Sequence, residues 1–136
     1  MIKLQRQQIE KIIVHARAEL PHECCGLIGG RDDFALSVYR LRNVAANPLV
    51  EYEAAIDDLF LAHYIMREQN ETLLGIYHSH PNQIEPQPSK TDVAQAFYPD
   101  AIYFIVGFAK DIPVLRAFKI YESERRWETA EFLVID

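Results

Sequence analysis

The apolar positions of the chain switch between helical and extended spacing, and each switch marks an element. From Gln5 to Leu20 the residues Ile9, Ile12, Ile13, Ala16 and Leu20 recur at helical intervals with charges between them, and Pro21 closes the helix. His15 stands among Lys11, Arg17 and Glu19 and reads as a partly exposed helix residue. Cys24 to Gly30 is an apolar run ended by paired glycines, the pattern of a buried strand entering a turn. Phe34 to Val44 alternates and pairs with it through Arg31-Asp32-Asp33. Asn43 to Pro48 is a loop, and Leu49 to Ala54 a short extended piece. With Asp57 as N-cap, Leu59, Ala62, His63, Ile65 and Met66 predict a second helix to about Gln69, with His63 at its surface or core edge. Leu73 to Ser79 is apolar on both faces, as in a central strand covered from either side. Pro81, Pro86 and Pro88 then hold a loop open, and Ser89-Lys90-Thr91-Asp92 starts a helix that runs to Phe97 or Tyr98, before Pro99. Ala101 to Phe108, Val114 to Tyr121 and Trp127 to Val134 read as further strands.

This order predicts an α/β fold, a single-domain α-β-α sandwich with a mixed central sheet spanning residues 1–136. A chain of 136 residues buries roughly two-thirds of its unfolded surface, enough for one true core. No run of 18 apolar residues suggests a membrane span, and Met1 to Arg6 leads into a polar stretch rather than a secretory core, so a soluble, cytoplasmic protein is expected. A net charge of −6 without a basic face excludes a general nucleic-acid binder. The adjacent Cys24 and Cys25 suit neither a disulfide framework nor a Cys-x-x-Cys site; they read as reduced, buried residues.

The chemistry concentrates in one place. From Thr72 to Ile84 there is no Lys, Arg, Asp or Glu, yet His78 and His80 sit two apart in a strand and so project from the same face. Zinc takes imidazole nitrogen at about 2.0–2.1 Å and carboxylate oxygen at about 2.0–2.2 Å, and a catalytic site keeps three protein ligands and an open position. The loop from Pro81 to Pro88 can fold Asp92 back to face the histidines; from spacing alone, Glu85 is the rival third ligand. Glu23 stands at the mouth of the first strand, and Ser89 and Asp92 also read as a helix cap.

His78-Ser79-His80-Pro81, then Ser89-Lys90-Thr91-Asp92, with an upstream Glu23-Cys24-Cys25-Gly26, resembles the JAMM (MPN+) metalloproteases, a family related in fold to the cytidine deaminases. The resemblance covers essentially the whole chain. It implies Zn2+ held by His78, His80 and Asp92, Glu23 as acid/base, and Ser89 assisting at the oxyanion. Eight residues separate His80 from Ser89, one more than the family's usual spacer. The bare core with short connections resembles the small prokaryotic members, which implies a peptidase or isopeptidase acting on the C-terminal Gly-Gly tail of a ubiquitin-like or sulfur-carrier protein, releasing an extension or a cysteine adduct; a homodimer is compatible with this. Two other readings stand beside it: a catalytically silent scaffold of the same fold, which a bound-zinc measurement separates, and a zinc deaminase, whose Pro-Cys-x-x-Cys signature the chain lacks.

Overall fold

The computed structural model describes residues 1–136. The elements in chain order are β1 (Ile2–Gln5), α1 (Arg6–Glu19), β2 (Cys25–Arg31), β3 (Phe34–Leu41), α2 (Ile56–Glu68), β4 (Thr72–His80), α3 (Lys90–Ala94), β5 (Ile102–Ala109), β6 (Ile112–Tyr121), β7 (Arg126–Ala130) and β8 (Phe132–Ile135). The eight strands form one mixed sheet in the order β7-β6-β5-β4-β2-β3-β1-β8. The pairs β4–β5, β1–β3 and β1–β8 are parallel and the other neighbours antiparallel. The sandwich expected from the element order is present, with α1 on one face and α2 and α3 on the other. No helix is long and apolar enough to cross a membrane.

Alternation along the strands builds two cores. Leu27, Ile76, Tyr103, Ile105 and Phe118 point toward Ala62 and Met66 of α2 and Val93 of α3. Leu4, Ile28, Tyr77, Phe104 and Val106 point toward Ile12 and Ala16 of α1. The turn between β2 and β3 places both Asp32 (φ 49°) and Asp33 (φ 69°) in the left-handed region, which suits a tight hairpin and residues that tolerate it.

Two expectations change at the ends of the chain. Residues 2–5 form a strand of their own, in which Ile2 and Leu4 are buried, before the helix begins at Arg6. The expected last strand, Trp127 to Val134, is two strands on opposite edges of the sheet, separated only by Glu131. With one residue between them, these edges must approach at that corner, so the sheet curls; the Phe104 and Phe132 rings, from the middle and the edge, meet at 5.4 Å. Toward the middle, α3 stops at Ala94, short of Phe97, and residues 49–54 contribute only the isolated bridge between Asn43 and Ala54. Helix α2 is capped by the backbone of Ala55, with Asp57 inside its first turn.

His15 is not a surface residue. It is buried, its Nδ1 lies 2.7 Å from the Tyr77 hydroxyl, and its Nε2 lies 3.8 Å from Glu19. Tyr77 is itself fully buried, filling the space that a Cβ at Gly26 would take. Burial, with Arg40 adding, pulls the His15 pKa down to about 4. An unfolded histidine titrates near 6.5, so between about pH 6.5 and pH 4 the unfolded chain binds a proton that the folded one refuses. Stability is therefore expected to fall as pH falls through that window, by at most about 3 kcal/mol from this ring. His15→Gln, neutral at every pH, should flatten that part of the curve when urea unfolding is compared at pH 7 and pH 4.5. Identical pH dependence in the two proteins would refute the assignment.

Candidate metal centre

Strand β4 delivers His78 and His80 on the α2/α3 face at its C-terminal end, between Cys25 of β2 and Ile105 of β5. The rings are buried, and the Nε2 atoms stand 3.2 Å apart. The loop after His80 then doubles back. Gln83 organises it: its backbone N–H donates to the His80 carbonyl, its carbonyl accepts from Phe108, and its Oε1 accepts from the Gln87 N–H at 3.1 Å. Gly107 makes the close approach feasible, since a Cβ there would run into the Gln83 carbonyl and the Pro86 ring. Arg116 donates to the Pro86 carbonyl at 3.0 Å and ties the far end of the loop to β6. The eight residues between His80 and Ser89 thus form an anchored turn.

The loop ends in a capping box: Ser89 Oγ accepts from the Asp92 N–H at 3.0 Å, and the Ser89 N–H donates to Asp92 Oδ2 at 2.9 Å. This fixes the Asp92 carboxylate against both histidines, with Oδ2 at 3.0 Å from His78 Nε2 and 3.1 Å from His80 Nε2. Three donor atoms of three residues therefore form a triangle with edges of 3.0–3.2 Å. Ligands held tetrahedrally at about 2.0–2.1 Å from one ion are about 3.3 Å apart, so the triangle has the size of one face of a zinc coordination shell. His80 Nδ1 lies 3.2 Å from Gln83 Oε1, an acceptor that places the proton on Nδ1 and leaves the Nε2 lone pair facing the triangle. The donor set and its spacing fit a divalent zinc-like ion.

Glu23, just before β2, closes the fourth side. It is buried, with Oε2 at 3.9 Å from His80 Nε2 and Oε1 without any hydrogen-bond partner. Glu23, His78 and His80 also form a candidate ligand set, their atoms lying within 4.8 Å of one another. The wider spacing makes this the looser of the two sets. Glu85, the rival ligand from spacing, is exposed on the loop and outside the cluster.

Environment separates the two carboxylates. Burial pushes Glu23 up to about 7, with Asp92 and Glu51 adding to it and His80 opposing. Burial also works against the Asp92 anion, but His78, His80 and the Ser89 N–H outweigh it and hold Asp92 well below the usual carboxylate range. His78 is lowered by its burial, whereas for His80 the Asp92 and Glu23 charges overcome burial and raise it. Cys24 and Cys25 are buried free thiols, each pushed up to about 12 by desolvation, and stay protonated at neutral pH.

Three neighbours escape a reading of the sequence. Tyr52 stacks on His78 with ring centroids 4.5 Å apart, Gln83 supports His80, and Asn43 binds the backbone of Glu23. All three lie in or at the ends of irregular segments, where no periodicity points to them.

Residues 5–121 match the family model of prokaryotic homologues of the JAB domain. The chain is similar to the desampylase of Haloferax volcanii, 32% identical over 71% of this chain and 73% of that protein. It is also similar to the CysO-cysteine peptidase of Mycobacterium tuberculosis, 29% identical over 79% of this chain and 73% of the other. Among solved structures, protein DSY2949 from Desulfitobacterium hafniense superposes with a TM-score of 0.87 at 33% identity, covering 100% of this chain and 94% of that one.

Proposed function

The chain belongs to the family of prokaryotic homologues of the JAB domain, and on that premise we propose that it is a zinc-dependent peptidase that cuts the peptide or isopeptide bond following the Gly-Gly tail of a ubiquitin-like or sulfur-carrier protein. The observation that carries the reading is the triangle of His78 Nε2, His80 Nε2 and Asp92 Oδ2, with the unpartnered Glu23 carboxyl beside it. The desampylase and the CysO-cysteine peptidase among its relatives support the bond and the substrate class.

In this reading His78, His80 and Asp92 hold the ion. When bound, zinc supplies Lewis acidity, polarising a carbonyl oxygen and acidifying a water. Glu23 does the proton work. A carboxyl near pH 7 in affinity accepts a proton from the attacking water at Oε1 and passes it to the departing amine nitrogen, while Asp92 stays anionic. Ser89 Oγ already accepts from the Asp92 N–H, which leaves its hydroxyl hydrogen to donate to the developing oxyanion.

Ser89→Ala is expected to lower kcat by about 10²–10³ and to remove a cap worth about 1 kcal/mol, with zinc content retained. Rates measured at fixed zinc loading, beside thermal unfolding, separate the two effects; unchanged kcat would remove Ser89 from the mechanism. The central test is to titrate the protein with zinc and incubate it with a ubiquitin-like protein extended beyond its Gly-Gly tail, weighing the products by mass spectrometry. Cleavage after the second glycine that chelation abolishes is the expected result. Full activity in metal-free protein, or an intact tail beside cleavage of unrelated peptides, overturns the proposal.

A further inference from the structure

No hydrogen bond steers the buried Glu23 carboxyl: Oε1 has no partner and Oε2 lies 3.9 Å from His80 Nε2. Ladder pairing in β2 begins at Cys25, and on the sheet side only the next residue, Cys24, is bonded, its N–H donating to Ser79 Oγ at 2.8 Å and its carbonyl accepting from the Ser79 N–H at 3.3 Å. Both backbone groups of Glu23 bond instead to the irregular segment 43–54. Its N–H donates to the Pro48 carbonyl at 2.8 Å, and its carbonyl accepts from Asn43 Nδ2 at 3.0 Å.

Asn43 is the hub of that segment. Nδ2 also donates to the Glu51 carbonyl at 3.0 Å, and Oδ1 accepts from the Ala45 and Glu53 N–H groups, each at 3.0 Å. Two carbonyls on one side and two N–H groups on the other use the full capacity of the amide and allow only one orientation of it. The segment so organised carries Tyr52, whose ring stacks on His78. One side chain therefore links the backbone of Glu23 to the loop that presses on a candidate ligand.

We propose that Asn43 is the positioning residue of the site, setting the placement of the Glu23 carboxyl through the Glu23 carbonyl and the 43–54 segment. This rests on the reading of Glu23 as proton carrier. A misplacement of about 1 Å can cost about 10²-fold in rate, so the effect falls on kcat rather than on ground-state binding.

Asn43→Asp keeps the acceptor side and turns the donor side into a second acceptor facing two carbonyls; Asn43→Ser removes the donors without that repulsion. With the extended ubiquitin-like substrate, both variants should lose at least about tenfold in kcat, Asp more than Ser, with KM and zinc affinity within about threefold of the parent. In a Glu23→Gln background the same substitutions should cost less than about twofold, because the group they position is already disabled. An equal cost in both backgrounds, or a loss confined to KM, overturns the proposal. Near-parental turnover in Glu23→Gln alone would instead sink the proton-carrier reading, which keeps the two failures apart. Hydrogen exchange reads the same device without turnover: in Asn43→Ser the Glu23 amide should exchange at least about tenfold faster while the β2 amides from Leu27 to Gly29 keep their protection. Unchanged protection at Glu23 overturns the proposal as well.

Discussion

Glu23→Gln is expected to bind zinc as tightly as the parent and to turn over about 10²–10⁴ times more slowly, the usual worth of a positioned general acid–base. The substitution keeps the volume of a buried side chain and removes only its capacity to take and return a proton. Because Glu23 stands outside the tight triangle, at 3.9 Å from its nearest histidine nitrogen, metal retention should survive the change. The measurement is paired: zinc content by competition with a chromophoric chelator, and kcat on the extended ubiquitin-like substrate. If zinc falls with turnover, Glu23 is a ligand, as its place in the looser candidate set with His78 and His80 would have it.

Asp92→Ala should fail in the opposite way, losing the metal and with it the activity. Its Oδ2 is the shared corner of the triangle, 3.0 Å and 3.1 Å from the two Nε2 atoms, and it also accepts the Ser89 N–H. Loss of a partner that merely orients a ligand typically costs 10–100-fold in metal affinity, and removal of a ligand exceeds that. The truncation also opens the capping box of α3, so Asp92→Asn, which keeps most of the shape, separates metal loss from unfolding. Stoichiometric zinc with parental affinity in a folded Asp92→Asn would exclude Asp92 from the ligand set.

Much of the central architecture is legible in the order of residues because burial leaves a plain mark there. β4 carries no charge from Leu73 to His80 and is buried from Gly75 to His80, so polar side chains within it had to mean something. His78, His80, Asp92 and Glu23 fall together as their motif implies. The edges were harder to read. β1 is only four residues long, too short for Ile2 and Leu4 to register as an alternation, and its polar partners looked like the start of the helix. From Trp127 to Val134 the pattern runs on without interruption, and only the pairing of Ala130 with Ala117 and of Phe132 with Ile2 reveals that the chain changes edges at Glu131. His15 misleads for a different reason: charged neighbours suggest solvent, yet Gln8, Ile12, His15 and Ala16 share one buried stripe. Asn43, Tyr52 and Gln83 act through irregular backbone, for which hydrophobic spacing has no vocabulary.

The two reciprocal hydrogen bonds between Ser89 and Asp92 have a consequence for how such a site decays over generations. The pair closes the first turn of α3 through its own hydrogen bonds, whereas the Nε2 atoms of His78 and His80 meet only the Asp92 carboxylate, each other and, 3.9 Å from His80, the Glu23 carboxyl. In a lineage that abandoned the metal, selection for folding alone would still favour Ser-x-x-Asp and would release the histidines to become ordinary core residues. A descendant with the helix start intact and the His-x-His gone would therefore be a fossil of the enzyme, and the histidine pair is the part of the motif that testifies to a living one.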